Sequence, residues 1–182
     1  MNELELRSKR LGLVLIKWED LDTIHQLHSF PQVDQFNTLG IPKDIEETKR
    51  TIAPWIEAHQ ATDISNFTFA IRLSKSNQLI GLLGLKLGSK KFKIGEIWYK
   101  LYPNQWGKGY ATETVNAILD FAFNDLKLHR IEAGCAIQNI GSIKVLEKVG
   151  MTREGHRRKI LPLKSGWSDN YMYAILETDE RR

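Results

Sequence analysis

One short stretch indicates the fold of this chain: Trp106-Gly107-Lys108-Gly109-Tyr110-Ala111-Thr112-Glu113. It lies between a run typical of a β-strand, residues 94–102, and a run typical of a helix, residues 112–126. Two glycines in a strand-to-helix turn let backbone N–H groups converge at the start of the helix, because no side chain stands in the way. Such a turn favours a phosphate or pyrophosphate group. The stretch therefore indicates a phosphate-bearing small molecule, with a coenzyme as the first candidate.

The composition is typical of a folded globular protein. The 182 residues fit one domain, residues 1–182, and 42% of them are hydrophobic and 26% charged. Cys135 is the only cysteine, so neither a disulfide within the chain nor a zinc site built from cysteines can form. We expect no bound metal.

The charge and hydropathy patterns exclude several classes of protein. No apolar run approaches the ~20 residues that span a bilayer, and residues 1–10 lack the apolar core of a signal peptide. We therefore expect a cytoplasmic protein with no membrane role. The net charge of +4 suits anionic ligands but is too small to indicate direct nucleic-acid binding.

Hydrophobic periodicity predicts a mixed α/β (α+β) domain. Three strand-like runs joined by short turns precede the glycine turn, which predicts an antiparallel meander. Pro31 is expected to end the first helix, and Pro54 predicts a kink or a break in the second. Strands are predicted at residues 11–17, 67–73, 79–87, 93–102, 129–137, 151–161 and 167–177, and helices at 18–29, 44–56, 112–126 and 139–149.

Two familiar phosphate-binding motifs do not fit the glycine turn. A P-loop needs a Lys-Ser/Thr pair after its second glycine, and Gly109 is followed by Tyr110. A dinucleotide fingerprint needs a third glycine where this chain has Thr112, and it belongs in a parallel sheet rather than after a meander. Glu132 lies near the start of its strand, whereas a ribose-binding acid belongs at the end.

Three segments in register resemble the GNAT superfamily of N-acetyltransferases, and most closely its branch that acetylates the N-termini of ribosomal proteins. The order and spacing of the elements agree from residue 11 to residue 177. The resemblance implies a mixed, mostly antiparallel central sheet, splayed at the coenzyme site and flanked by helices, and acetyl transfer from acetyl-CoA to a primary amine. The segments are Gly95-Glu96-Ile97-Trp98-Tyr99-Lys100-Leu101, the glycine stretch, and Asn139-Ile140-Gly141-Ser142 with Leu146-Glu147-Lys148-Val149-Gly150-Met151.

The resemblance also implies how acetyl-CoA is held. Pantetheine fills a gap between the strands at 93–102 and 129–137 and pairs with the first strand, so Leu101 is a predicted contact. Asn139 is predicted to contact the coenzyme, although Asn is also among the best helix N-caps, and one residue can do both. The predicted pyrophosphate contacts are Trp106, Gly107, Lys108, Gly109, Tyr110, Ala111 and Thr112.

One position departs from the superfamily pattern, Q/R-x-x-G-x-G/A. Gly109 and Ala111 fit the pattern, but its first position holds Trp106. A side-chain donor to the pyrophosphate is therefore missing, and we expect the backbone amides to carry the binding. Lys108 is a candidate to restore positive charge, with a solvated loop lysine as the alternative.

Two residues match catalytic positions of the family. Glu96 corresponds to the general base of some members, and strand alternation sets it on one face with Ile94 and Trp98, where partial desolvation would raise its pKa. A structural glutamate, hydrogen-bonded to neighbouring loops, is the alternative. Ser142 resembles a serine that protonates the leaving thiolate or binds near it, with a backbone-bonded serine as the alternative. The thioester oxygen is expected to meet a backbone N–H between Trp98 and Lys100.

The acceptor amine is less well determined by the sequence. The N-terminal α-amine of a protein is favoured because its pKa of about 7.7–8.0 leaves a neutral fraction without a strong base. The family resemblance implies a ribosomal protein. Polyamines and aminoglycosides are the alternatives, and these polycations need carboxylates that converge on the cleft. A non-catalytic acyl-CoA-binding module and an RNA-associated protein are the other classes. A homodimer stays open, because residues 167–177 could pair across one.

Overall fold

An eight-stranded sheet runs through the protein, and helices cover both of its faces. The computed structural model describes residues 4–181. The strands are β1 (Glu5–Arg7), β2 (Leu11–Leu15), β3 (Asn66–Leu73), β4 (Leu79–Leu87), β5 (Ile94–Leu101), β6 (Arg130–Ala136), β7 (Thr152–Leu163) and β8 (Gly166–Leu176). The helices are α1 (Leu21–His28), α2 (Pro31–Asp34), α3 (Ile45–Ala58), α4 (Tyr110–Asp120) and α5 (Ile140–Lys148).

The strand order is β1-β2-β3-β4-β5-β6-β8-β7, and β5 with β6 form its parallel pair. That pairing joins Ile94–Ile97 to Arg130–Ala133 and then stops, although β5 runs on to Leu101 and β6 to Ala136. The two strands therefore part over their last residues and leave a gap in the middle of the sheet. The predicted class is confirmed: a mixed, mostly antiparallel sheet, splayed at its centre and flanked by helices.

Two hydrophobic cores lie on opposite faces of the sheet. The face covered by α4 and α5, here called the α4–α5 face, buries Ile97 and Leu101 of β5. The opposite α1–α3 face packs Trp98 and Tyr102 against the smaller core. Alternate residues of a strand point to opposite faces, so Glu96, Trp98 and Lys100 share the α1–α3 face, as the sequence predicts.

Several local features differ from the prediction. Helix α3 continues through Pro54, so the expected break is wrong. Proline cannot donate to the carbonyl four residues earlier, but this part of the helix is exposed, so that carbonyl can bond to water instead. Pro31 does follow the end of α1, but it also starts the short helix α2, because its fixed φ suits the first helical position. Strand β1 was not predicted, and α4 is followed by a π-helical turn at Phe121–Asp125.

Within residues 4–181, no helix combines the length and the apolar character needed to cross a bilayer.

Candidate active site

The loop between β5 and α4 is shaped by two glycines with left-handed backbone. Gly107 has φ of 73° and Gly109 has φ of 79°, a region that side chains with a Cβ rarely adopt. Gly109 is the N-cap of α4 and offers no side-chain cap. Residues 107–112 are here called the coenzyme loop.

The amides of the coenzyme loop lack partners in the described part of the chain. The first helical bond of α4 runs from the Glu113 amide to the Gly109 carbonyl, 3.1 Å away. No hydrogen bond between described residues is donated by an amide of residues 107–112. Uncapped amides at a helix start carry partial positive charge and favour an anion. The residues present therefore fit a pyrophosphate.

Glu113 anchors the coenzyme loop to the segment that precedes β2. Its carboxylate accepts hydrogen bonds from the Ser8 hydroxyl (2.7 Å), the Arg10 amide (2.7 Å) and Arg10 Nε (2.6 Å). Arg10 in turn donates to the Lys108 carbonyl at 3.0 Å, and its guanidinium lies 4.5 Å from the centre of the Tyr110 ring. The hydrogen bonds from Ser8 and Arg10 outweigh burial and hold the pKa of Glu113 below its usual value. Sequence reasoning missed this anchor, because its partners are about a hundred residues apart.

Replacing Glu113 with Gln is expected to raise the dissociation constant for CoA about fivefold. The amide cannot satisfy both Arg10 donors, so the loop loses part of its support, and the free energy of unfolding falls by about 1–2 kcal/mol. Calorimetric titration with CoA and urea unfolding measure the two effects. Asp120→Asn is the control, because it removes an exposed carboxylate from the other end of α4. An unchanged affinity for CoA in the Glu113 variant would contradict the anchoring role.

Trp106 takes no part as a side-chain donor to the loop. Its indole N–H donates to the Leu101 carbonyl at 2.9 Å, and the side chain is 48% exposed. Because the indole uses the Leu101 carbonyl, the Leu101 N–H is the backbone group that remains for the predicted pairing with pantetheine. Lys108 is exposed, with Nζ 3.2 Å from Gln105 Oε1, which leaves its charge close to the loop.

Hydrogen-bond direction identifies which amides of β5 face the gap. The Tyr102 N–H and the Ile94 carbonyl both bond toward β4. Because backbone groups alternate sides along a strand, Trp98 and Lys100 also turn toward β4, whereas Tyr99 and Leu101 turn toward the gap. Tyr99 is the first such residue beyond the last pair with β6. The expected oxyanion donor between Trp98 and Lys100 therefore narrows to the Tyr99 amide.

Ser142 lies beside the same point of the gap. Its Oγ is 2.8 Å from the hydroxyl of Tyr99, which reaches α5 on the α4–α5 face. Burial raises the pKa of Tyr99, so both groups are neutral proton donors at neutral pH. Asn139 accepts a hydrogen bond from the Ser142 amide at 3.1 Å, which confirms it as the N-cap of α5 and sets Ser142 in the first turn.

Glu96 lies on the predicted face of β5 but is more exposed than the sequence suggested. The predicted partial desolvation is wrong, because the side chain is exposed at the edge of a shallow cleft that is open to solvent. Among the described residues, none donates a hydrogen bond to its carboxylate, so the structural alternative is also unsupported. The cleft has a volume of about 380 Å³ and is lined by Trp55, Ser65, Asn66, Lys86, Leu87, Glu96 and Trp98.

A buried polar cluster on the α1–α3 face was also missed by the sequence analysis. Lys100 Nζ lies 3.5 Å from His28 Nε2, and Asp34 is close enough to raise the pKa of Lys100. The sequence did hold one indication of this cluster: Lys100 lies between Trp98 and Tyr102 on the side of β5 that faces the core. The three residues come from α1, α2 and β5, so only the fold brings them together.

Comparison with known proteins decides the family. The model of the acetyltransferase (GNAT) domain matches residues 10–152. The probable N-acetyltransferase YjcK of Bacillus subtilis is 33% identical over 176 residues, covering 96% of this chain and 91% of that protein. The chain belongs to the GNAT family. It is therefore an acetyl-CoA-dependent N-acetyltransferase.

Solved structures agree with the GNAT fold. The ribosomal-protein-S5-alanine acetyltransferase from Vibrio fischeri has a TM-score of 0.82 at 24% identity, covering 97% of this chain and 98% of that one. Spermidine N-acetyltransferase from Vibrio cholerae, solved with CoA and spermine, also has a TM-score of 0.82, at 23% identity, covering 94% and 98%. Both likenesses concern the fold.

Proposed function

We propose that this GNAT protein acetylates the N-terminal α-amine of a polypeptide by direct attack on acetyl-CoA in a ternary complex. The gap between β5 and β6 is the site of the thioester. The α4–α5 face holds the coenzyme loop, Asn139 and Ser142, so the amine approaches from the opposite α1–α3 face. That face carries the cleft lined by Trp55, Trp98 and Glu96.

The observation that carries the proposal is that Glu96 is the single acid among the described residues that line the cleft. Asp20 is buried and bonded to Arg72, so it is not available to a ligand. Asp44 caps α3 by accepting from the Glu47 amide, and Glu47 accepts from the Lys43 amide. These three acids bind groups of the protein itself. A polycation needs several carboxylates at its site, whereas a polypeptide N-terminus carries one amine and fits a cleft walled by tryptophans.

The catalytic groups suit an amine of modest basicity. An α-amine has a pKa of about 7.7–8.0, so part of it is neutral at physiological pH. The exposed Glu96 then serves as a base through water. The Tyr99 N–H donates to the thioester oxygen. Ser142, hydrogen-bonded to Tyr99, gives its proton to the departing thiolate and is reprotonated from solvent in the same step, while the proton lost by the amine leaves through Glu96 and water.

Direct attack is favoured over an acetylated enzyme because the cysteine is a poor nucleophile. Cys135 is buried in the core of the α4–α5 face, and burial raises its pKa to about 11. A thiol with that pKa is almost fully protonated at neutral pH and reacts slowly.

A ribosomal protein is the specific form of the polypeptide substrate that the likeness to the Vibrio fischeri enzyme suggests. A polyamine is the second candidate, because the spermidine N-acetyltransferase of Vibrio cholerae is 32% identical to this chain over 88 residues. That match covers 48% of this chain, so it carries less weight than the charges of the cleft.

The test is CoA-thiol release from acetyl-CoA with N-terminal peptides, spermidine and an aminoglycoside, each with the wild type and with Ser142→Ala. We expect peptides to have the highest kcat/KM. Loss of Ser142 should lower kcat about tenfold or more while leaving the KM for acetyl-CoA nearly unchanged, since its proton is needed only as the thiolate leaves. Ser89→Ala, in an exposed turn, is the control. A kcat/KM for spermidine above that of every peptide would overturn the proposed substrate.

A further inference from the structure

The cluster of His28, Asp34 and Lys100 lies on the acceptor side of the gap. Lys100 follows Tyr99, whose amide faces the gap, and its side chain lies on the α1–α3 face. Its ammonium lies 5.4 Å from the centre of the Trp98 ring, the aromatic wall of the cleft. Trp98 in turn lies 5.4 Å from Trp55, ring centre to ring centre. The cleft and the cluster therefore share a wall.

Exposure within the cluster is uneven. His28 and Asp34 are 6% and 5% exposed, whereas Lys100 is partly exposed. Of the three side chains, the lysine is therefore the one that a ligand on the α1–α3 face can reach. Asp34 Oδ1 has no hydrogen-bond partner among the described residues, so it supports the lysine by charge alone.

The protonation states leave a positive charge at this point. Burial, and then the charges of Lys100 and His25, lower the pKa of His28 to about 3, so its ring is neutral at pH 7. Burial lowers the pKa of Lys100 to about 8, while Asp34 opposes this change. At pH 7 Lys100 still carries its proton, and Asp34, the carboxylate that acts on this charge, is more buried than the lysine.

We propose that Lys100 determines acceptor specificity: its ammonium donates to the carbonyl oxygen that follows an N-terminal α-amine and repels a second cationic amine. This inference rests on the proposed function and adds the residue that enforces it.

The chemistry distinguishes the two substrate classes. An N-terminal residue carries a carbonyl oxygen two bonds from the carbon that holds its amine, so the oxygen and the amine enter the site together. Spermidine has no oxygen acceptor, and its remaining amines are protonated at neutral pH. Beside a partly buried ammonium, a hydrogen-bonded carbonyl stabilises the complex, and a like charge destabilises it.

The experiment compares kcat/KM for an N-terminal peptide and for spermidine in the wild type, Lys100→Met, Lys100→Arg and the control Lys75→Met, a lysine in the exposed turn between β3 and β4. Lys100→Met should lower kcat/KM for the peptide about tenfold, mainly through KM, and raise that for spermidine about tenfold. Lys100→Arg should keep most of the wild-type preference, because the charge remains.

The outcomes separate the two proposals. If Lys100→Met lowers kcat/KM equally for the peptide and for spermidine, Lys100 is a structural residue and the inference is overturned. The inference is also overturned if Lys100→Arg has the same effect as Lys100→Met. A wild type that prefers spermidine overturns the proposed function instead. In that case Lys100→Met must still raise kcat/KM for spermidine, and an unchanged value overturns the inference as well.

Discussion

Replacing both Gly107 and Gly109 with alanine is expected to weaken CoA binding about 30-fold or more. Each alanine forced into left-handed backbone costs about 1–2 kcal/mol, so the loop relaxes to another shape. Two such costs amount to about 2–4 kcal/mol, which corresponds to a factor of about 30 to 1,000 in affinity. The amides of the coenzyme loop then no longer converge. Calorimetric titration with CoA measures the loss directly.

A matched control tests whether the loss of CoA affinity requires backbone strain in the coenzyme loop or follows from such strain anywhere in the chain. Gly40 and Gly166 also have positive φ, 80° and 110°, and a Cβ added to either meets nothing within 4 Å. Both lie outside the coenzyme loop. The double variant Gly40→Ala/Gly166→Ala should lose stability without losing CoA affinity. If it weakens CoA as much as the loop variant does, the loss reflects general destabilisation, and the amide cradle is not the cause.

Replacing Gly84 with alanine is expected to lower the free energy of unfolding by about 2–3 kcal/mol. A Cβ at this position of β4 would lie 2.1 Å from Nε1 of Trp98, whose indole lies across the glycine from the opposite strand. The ring must move, and its neighbour Trp55 stands in the way. The cleft wall is displaced with it, so KM for the acceptor should rise about tenfold while CoA binding changes little. Urea unfolding and steady-state kinetics measure the two effects.

The control and a second substitution test this explanation. Gly155→Ala, where the nearest atom is Met172 Cβ at 3.6 Å, should leave stability within about 0.5 kcal/mol of the wild type. Adding Trp98→Leu to Gly84→Ala should restore at least about 1 kcal/mol of the about 2–3 kcal/mol of unfolding free energy that Gly84→Ala loses, because leucine is small enough to avoid the new methyl group. Additive effects of the two substitutions would show that Trp98 is not what the alanine meets.

Local patterns were enough to predict most of the fold. The alternation in β3 and β5 and the glycine turn before α4 each constrain nearby residues, and the order of the elements then limits the sheet. Helix boundaries near prolines were less predictable, since Pro54 is tolerated only because its position in α3 is exposed. That exposure depends on tertiary packing.

The candidate site was predictable where its chemistry is local. The positive φ of Gly109 and the N-cap role of Asn139 follow from neighbours in the chain. Glu96 was misjudged because alternation gives the face of a strand but not how far the helices on that face extend. Arg10 gave no local signal, and Lys100 gave only its place between Trp98 and Tyr102, since each acquires its role from partners that are distant in sequence.

The parting of β5 and β6 makes the sheet two panels held together by four residue pairs, Ile94–Ile97 with Arg130–Ala133. If pantetheine pairs with the free edge of β5, as the family resemblance implies, the cosubstrate joins the two panels and is also a structural element. A ligand that binds only the folded chain adds about 2.7 kcal/mol of stability at a hundred times its dissociation constant. The persistence of this protein in a cell would then follow the supply of the coenzyme, with or without its acetyl group.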